Sequence, residues 1–273
     1  MTAFVLLPLA QTAGDSFFDG NLVSPVRSFV GFANYTAAFE NDFGALVAQS
    51  GLYVAAALIG NVVIPFGLAL VTLRLGEREA DIAQSLIFVP TVVPVSIGAL
   101  LFVWILLPVS GPLDTLLATV HLGSPNWLTD RHWALASVAT VTAWKFFGFT
   151  YLIVLAGLRA IPRSVLEAAA IDGASPLRRL AYVVIPLALP TLVFASVTTI
   201  LGALENAFVP TQILTLGGPG NASNQLVYAI FQAGFQYFQR GQAAALGVLM
   251  LLLFAAFGVW QFRLLDRYVV YER

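Results

Sequence analysis

Long apolar runs separated by short polar stretches dominate the chain. Five runs are long enough to cross a bilayer, for which a helix needs about 20 predominantly apolar residues. Four of them carry no charged residue, and the third contains only Lys145. They are too long for strands, so the pattern predicts transmembrane helices. These five runs cover residues 43–73, 82–113, 133–158, 180–204 and 241–262.

The first fourteen residues form a shorter apolar run. Residues 1–14 are uncharged but too short to span a bilayer, and they lack the basic start of a signal peptide. The stretch "FVLLPLA" is typical of the outer end of a helix, so we expect a partial first span that is either truncated or not present in full.

Prolines interrupt several of these runs. Each proline removes a backbone donor, so the sequence predicts kinks or breaks at these positions. The four are Pro65, Pro90, Pro94 and Pro186.

The composition agrees with a multi-spanning membrane protein. Of the 273 residues, 59% are hydrophobic and 10% are charged, whereas soluble domains average about 25% charged residues. The net charge of −1 gives no indication of a nucleic-acid partner. The chain has no cysteine and only two histidines, too few for a histidine metal site, so the sequence predicts neither a catalytic thiol nor a metal centre.

The basic residues predict the orientation, because cytoplasmic loops of membrane proteins are enriched in lysine and arginine. Three polar segments that fall on one side carry nine arginines, and the other side carries three: Arg27, Arg131 and Arg240. We therefore expect the segments around 74–81 and 159–182 and the C-terminus to be cytoplasmic. The nine are Arg74, Arg78, Arg159, Arg163, Arg178, Arg179, Arg263, Arg267 and Arg273.

The segment 158–190, "LRAIPRSVLEAAAIDGASPLRRLAYVVIPLALP", predicts two short helices joined by a turn. Ser164 and Glu167 have the spacing of a capping box at a helix start. Gly173 can adopt the left-handed geometry that ends a helix, and Pro176 suits the first turn of the next one. A basic cytoplasmic loop would explain the arginines alone. It does not explain the run of three alanines that ends at Ala170, whose small side chains let another surface approach closely.

These residues resemble the EAA loop of the membrane subunits of ATP-binding-cassette (ABC) importers. Glu167 is followed by a glycine six residues later, and that glycine by Pro186 after another thirteen, as in the family motif. Leu180 stands where the family usually has an aromatic residue. Further stretches are similar to the sugar and glycerol-phosphate branch: "FVGFANY" (29–35), "FVPTVVPVSIGALLFVWILLPVSGPLD" (88–114), "NWLTD" (126–130), "LAGLRAIP" (155–162) and "LTLGGPGNASNQLVYAIF" (214–231).

The resemblance implies an all-α integral membrane permease. It would have five full transmembrane helices, a partial N-terminal one and a cytoplasmic coupling helix, in a bacterial inner membrane. Residues 1–42 would form the partial span and an outer segment, and residues 43–273 the permease domain, with its coupling loop at 159–182. The implied coupling residues are Glu167, Ala168, Ala169, Asp172, Gly173, Arg178 and Arg179.

The resemblance also implies the partners. They are a second permease subunit, two ATPase subunits that bind ATP and magnesium, and an extracytoplasmic solute-binding protein. The chain itself has no phosphate-binding loop, since its only lysine is Lys145 in "TAWKFFG". It also lacks a catalytic Ser–His–acid set in the spans, so we expect no enzymatic activity and no bound cofactor. An ion-coupled secondary transporter is the alternative function.

Two charged residues lie in or at the end of a predicted span. Charges within a membrane are costly and indicate a functional role by default. Lys145 lies near the middle of its span beside Trp144, and Glu205 ends its span just before Asn206. These four residues are candidates for the lining of the solute path. The alternative is that Lys145 pairs with Glu205 or extends to an interface.

Overall fold

The computed structural model describes residues 2–20 and 27–268, and their secondary structure is almost entirely helical. The predicted helical class is thus confirmed, with the addition of one two-stranded antiparallel ribbon that pairs Phe18 with Phe29. The elements are α1 (Thr2–Asp15), β1 (Phe18–Asp19), β2 (Ser28–Phe29), α2 (Ala33–Glu40), α3 (Phe43–Leu58), α4 (Ile64–Thr72), α5 (Glu77–Val92), α6 (Val95–Ile105), α7 (Pro112–Thr119), α8 (Ala134–Arg159), α9 (Arg163–Ile171), α10 (Pro176–Arg179), α11 (Ile185–Glu205), α12 (Phe208–Leu214), α13 (Leu226–Phe231) and α14 (Arg240–Tyr268).

Within residues 2–20 and 27–268, four continuous helices are long and apolar enough to cross a membrane. They correspond to the first, third, fourth and fifth apolar runs. A further pair, α5 and α6, passes the same test jointly but is bent by 100° at its break. The four continuous helices are Phe43–Thr72, Ala134–Arg159, Pro176–Glu205 and Arg240–Gln261.

The predicted irregularities at Pro65 and Pro186 take the form of π-helical turns that end two residues before each proline. Ile59–Val63 joins α3 to α4, and Leu180–Val184 joins α10 to α11. A proline cannot donate to the carbonyl four residues earlier, and its ring crowds that carbonyl. The backbone therefore widens, and the residue before each proline donates to the carbonyl five residues before it. Both helices continue as single spans.

The second apolar run differs from the prediction of one span over 82–113. The chain breaks between α5 and α6, at Val93 and Pro94, and α6 ends at Ile105. Pro94 takes an extended conformation before α6, while α5 continues through Pro90. Thus one of the two prolines breaks this run and the other does not. The last quarter of the predicted run, residues 106–113, is a turn followed by the first two residues of α7.

The residues from Gly51 to Ser223 form one compact unit. Two buried apolar clusters lie within it, one around Tyr53 and Val138 and one around Tyr151 and Leu155. Each cluster contains a buried hydroxyl pair, with Tyr53 2.6 Å from Thr142 and Tyr151 donating to Thr72 over 2.8 Å. Because both hydroxyls of each pair are hydrogen-bonded, these tyrosines are buried without the free-energy cost of an unpaired hydroxyl.

A second compact unit consists of the residues up to Ser50 and those from Asn224 onward, within the described part of the chain. Here α14 packs against α1, α2 and α13. Asp15, at the end of α1, accepts from Arg240 at 2.6 Å and from Arg27 at 3.0 Å. Asn34 donates to the carbonyls of Ser16 and Phe18, which fixes the ribbon to α2. The division into 1–42 and 43–273 stays a prediction, and Met1 and Arg273, which belong to it, lie outside the described residues.

Candidate functional site

The predicted helix–turn–helix is present at 163–179, but it begins two residues earlier than the capping box implies. Pro162 has φ −60° and ψ 131° and precedes α9, which starts at Arg163. No side chain caps this helix start, so the predicted cap at Ser164 with Glu167 is wrong. Because the extended Pro162 already sets the boundary, Ser164 lies inside the first turn.

Gly173 ends α9 as predicted. Its φ is +75°, in the left-handed region that favours glycine. The Gly173 N–H donates to the Ala170 carbonyl, and the Ala174 N–H donates to the Ala169 carbonyl, each over 3.1 Å. These two bonds are the Schellman pattern, in which the left-handed residue satisfies the last carbonyls of the helix. The turn thus has a specific geometry set by one glycine.

The second short helix, α10, follows α9 after four intervening residues. The Ser175 hydroxyl accepts from the backbone N–H of Arg178 at 3.4 Å, and Pro176 takes the first helical position. The predicted start of this helix is therefore confirmed. Because α10 continues through the π-turn into α11, the orientation of the turn is transmitted directly to a membrane span.

The surface of this segment is open. Five of the seven predicted coupling residues are exposed and one, Ala169, is half-buried. The exposed ones are Glu167, Ala168, Asp172, Gly173 and Arg178. Ile171, between them, is 86% exposed. An exposed isoleucine beside small alanines and acidic groups forms a mixed surface that another protein can cover. The seventh residue, Arg179, is half-buried and lines a cavity instead.

A second candidate site is a cavity of about 340 Å³ among the spans of the Gly51–Ser223 unit. Three of the four predicted path residues line it: Lys145, Glu205 and Asn206. Trp144 is not among the lining residues and packs against Phe102, with ring centres 5.5 Å apart. The complete lining is Asn61, Thr91, Lys145, Phe146, Phe149, Thr150, Thr198, Thr199, Gly202, Ala203, Glu205 and Asn206.

Three polar atoms around this cavity are buried and lack a hydrogen-bond partner among the described residues. They are Asn61 Oδ1, Thr91 Oγ1 and Thr199 Oγ1. Buried polar groups are nearly always hydrogen-bonded, so three unpaired polar atoms around one cavity indicate that the cavity is suited to a polar ligand. No motif in the sequence points to these residues. Isolated asparagine and threonine residues within uncharged apolar runs were the only available signal.

Lys145 has a backbone partner. Its ammonium donates to the carbonyl of Thr91, in the last turn of α5. That carbonyl faces the break before Pro94, where the helix no longer supplies an amide donor. A cation at a helix C-terminus is favourable, so Lys145 stabilises the broken end of α5. No ion pair joins Lys145 to Glu205 in the part of the chain that the structure describes. The side chain of Asn206 donates to the Gly202 carbonyl over 2.8 Å.

Comparison with known proteins supplies independent information. Residues 62–271 match the family described as "Binding-protein-dependent transport system inner membrane component". The sulfoquinovosyl glycerol transport system permease protein of Agrobacterium fabrum is 31% identical over 255 residues, covering 93% of this chain and 82% of that protein. The sn-glycerol-3-phosphate transport system permease protein of Yersinia enterocolitica is 33% identical over 248 residues, covering 89% and 82%.

The fold also matches that of a solved structure. A chain of a bacterial ABC transporter involved in the import of the acidic polysaccharide alginate superposes with a TM-score of 0.82. The match covers 97% of this chain and 91% of that one, at 20% sequence identity. At this identity the likeness concerns the fold alone.

Proposed function

Since this chain belongs to the family of binding-protein-dependent transport system inner membrane components, we propose that it translocates a carbohydrate or glycerol-phosphate-like solute by alternating access. The family resemblance inferred from the EAA segment is thereby confirmed. In the proposed cycle, ATP hydrolysis on separate subunits moves the spans between inward-open and outward-open states. The solute class follows from the named relatives, which serve sulfoquinovosyl glycerol and sn-glycerol 3-phosphate.

The observation that carries the proposal is the exposed helix–turn–helix at 163–179, continuous with a membrane span. We assign α9 as the coupling helix, with Glu167, Ala168, Ala169, Asp172 and Gly173 at the joint with the ATPase subunit. The glycine turn fixes the angle between α9 and α10. Because α10 leads without interruption into α11, a displacement of α9 by the ATPase would be transmitted to the lining of the cavity of about 340 Å³, which we call the solute cavity. Arg178 and Arg179 border the joint.

The assembly that we propose contains a second permease, two ATPase subunits that hold ATP and magnesium, and an extracytoplasmic binding protein. A related solved structure has a periplasmic protein, bound to an alginate pentasaccharide, in complex with the alginate transporter. The chain would span a bacterial inner membrane five times, with the bent pair of α5 and α6 as one span. The proposed cytoplasmic location of the C-terminus is based on Arg263 and Arg267, together with Arg273, which lies outside the described residues.

The membrane topology gives a first prediction. Cysteine substitutions at Ser175 and Gly123, two exposed positions in a naturally cysteine-free chain, should label from opposite sides of the membrane. We expect an impermeant maleimide to label Gly123→Cys on intact spheroplasts and Ser175→Cys only after permeabilisation. Labelling of both from outside would contradict the orientation. Ser124 is less suitable than Gly123, because it is half-buried and its hydroxyl accepts from the indole of Trp127.

The solute cavity gives a second prediction. Thr199→Val removes a hydroxyl that has no partner in the described part of the chain, so the variant should be as stable as the parent or more stable by about 1 kcal/mol. Uptake should nevertheless fall, because the solute loses a hydrogen-bonding group. Thr142→Val is the matched control: it removes a hydroxyl bonded to Tyr53 and should cost roughly 1–3 kcal/mol. Thermal unfolding in detergent and initial uptake rates measure the two effects. Unchanged uptake by a stable Thr199→Val protein would remove Thr199 from the path.

The energy source separates the proposal from its alternative. A secondary transporter would use intramembrane acids for ion coupling, and of the four continuous membrane helices among the described residues only Pro176–Glu205 contains an acid, Glu205 at its end. The complete complex should be reconstituted in vesicles and tested with sn-glycerol 3-phosphate and with neutral oligosaccharides. Uptake that needs ATP on the ATPase side and resists ionophores supports the importer. Uptake driven by an ion gradient without ATP would support the secondary transporter instead.

A further inference from the structure

A second cavity, separate from the solute cavity, lies where three membrane spans end. It holds about 310 Å³ and is bounded by the end of α4, the end of α8 and the stretch from α10 into α11. Leu166 of α9 contributes to the same wall. Because charged loops begin at these span ends, we expect the cavity to lie at the level at which lipid headgroups meet acyl chains. Its lining is Leu70, Leu73, Arg74, Leu158, Ile161, Leu166, Pro176, Leu177, Arg179, Leu180 and Val184.

The chemistry of this lining is amphipathic. Nine of its eleven residues are apolar, and the two others are both arginines. The Nε atom of Arg179 is buried and has no hydrogen-bond partner in the part of the chain that the structure describes. Among the described residues, neither Arg74 nor Arg179 forms an ion pair with a carboxylate. A buried guanidinium donor without a partner is costly, so the cavity is suited to a ligand that brings an anionic oxygen.

We propose that this cavity binds an anionic glycerophospholipid of the same membrane leaflet. The phosphate would accept hydrogen bonds from Arg179 and Arg74, and the upper part of one acyl chain would lie along the leucines. Arginine suits this role because its guanidinium matches phosphate geometry, and basic pockets between spans bind anionic headgroups. A free phosphate would satisfy the arginines but leave the nine apolar residues uncovered.

The mouth of the cavity supports a lipid as the occupant. Leu177 lines the cavity yet is 78% exposed, and Tyr182, in the π-turn that follows, is 79% exposed. A volume of 310 Å³ holds a headgroup and part of one chain, so the remaining chains would extend past these apolar residues into the bilayer. The bound lipid would touch both Leu166 of the first short helix and Leu177 of the second. It would therefore steady the helix–turn–helix against the spans.

The test uses the full chain purified in mild detergent from membranes that contain phosphatidylglycerol. Native mass spectrometry should show retained phosphatidylglycerol in preference to added phosphatidylcholine. Arg179→Gln should lower retention about fivefold, the size expected from one arginine near a lipid surface. Leu177→Glu places a negative charge at the exposed mouth and should lower retention without disturbing a buried position.

Arg178→Gln is the matched control, because it makes the same change at an exposed neighbour that does not line the cavity. Its lipid retention should equal that of the parent. Three results would overturn the proposal: no preference for the anionic lipid, equal losses in both arginine variants, or displacement of the lipid by inorganic phosphate at millimolar concentration. The lipid readout does not depend on transport, so its failure would leave the permease assignment unaffected.

Discussion

Gly173→Val should abolish most solute uptake while leaving the protein folded in the membrane. Gly173 has φ +75°, and valine reaches this region only with strain of about 1–3 kcal/mol. A Cβ atom at this position would meet nothing within 4 Å, so the substitution acts through the backbone alone. The chain would relieve the strain by opening the turn after α9. The coupling helix would then lose its fixed angle to α10, and we expect uptake to fall about tenfold or more.

The matched control for this prediction is Gly173→Asn. Asparagine adopts the left-handed region more readily than other residues with a side chain, and there is room for it here. Its uptake should therefore stay close to that of the parent. Initial uptake rates and ATP hydrolysis should be measured on the same vesicles. If valine and asparagine behave alike, the turn geometry is irrelevant to coupling.

Gly148→Val should strongly destabilise the protein. Gly148 lies in α8 where this helix meets α5, and a Cβ atom would come 2.5 Å from the Ile87 carbonyl oxygen and 2.8 Å from Phe88 Cα. Both are backbone atoms, so no side-chain rotation can relieve the overlap. Small residues permit such close helix contacts in membranes. Moving α5 away from α8 should cost about 1–3 kcal/mol or more and lower the unfolding midpoint by roughly 5 °C.

Gly67→Val provides the control for the helix contact. Gly67 also lies inside a membrane helix, but a Cβ atom there would meet nothing within 4 Å. The two variants share the same loss of glycine and differ only in the neighbouring backbone. Thermal unfolding of both in detergent measures the difference. A midpoint for Gly148→Val equal to that of Gly67→Val would show that the close contact between α5 and α8 does not limit stability.

The position of the spans could be predicted because apolar length alone determines them. The first, third, fourth and fifth runs correspond to continuous helices. Gly173 could be predicted as well, because few residues other than glycine adopt its backbone geometry. The break at Pro94 was indicated by its residue type, whereas Pro90, four residues earlier, lies inside an uninterrupted α5. Local sequence does not separate these two outcomes, since a proline can be accommodated wherever the surrounding helices satisfy the freed carbonyls.

The features that the sequence could not predict depend on contacts between distant segments. Ser164 is a local exception: it has the spacing of a helix cap, but Pro162, two residues earlier, sets the helix boundary. Lys145 was expected to line the path, pair with Glu205 or extend to an interface. It does line the cavity, and its donor also meets a backbone carbonyl exposed by the broken helix 54 residues earlier. No periodicity reveals such a partner. The unpaired polar atoms of Asn61 and Thr199 likewise become informative only because folding brings them to one cavity.

The two cavities differ in the chemistry of their linings, which suits them to different ligands. Among the described residues, the solute cavity has unpaired neutral polar atoms, and the cavity at the span ends has an unpaired arginine Nε. The segment 176–205 contributes to both linings. A displacement of α9 would therefore reach the proposed lipid site first and the proposed solute path through α11.

Site-specific photo-crosslinking from α9 tests the central claim most directly. A photoreactive amino acid should replace Ala168, which is exposed on the proposed coupling helix, and, as control, Gly123, which is exposed on the opposite side in the proposed topology. Irradiation of membranes that contain the complete transporter should join Ala168 to the ATPase subunit, and Gly123 should give no such product. Absence of an ATPase adduct from Ala168 in a complex that still transports would contradict the assignment of α9 as the coupling helix.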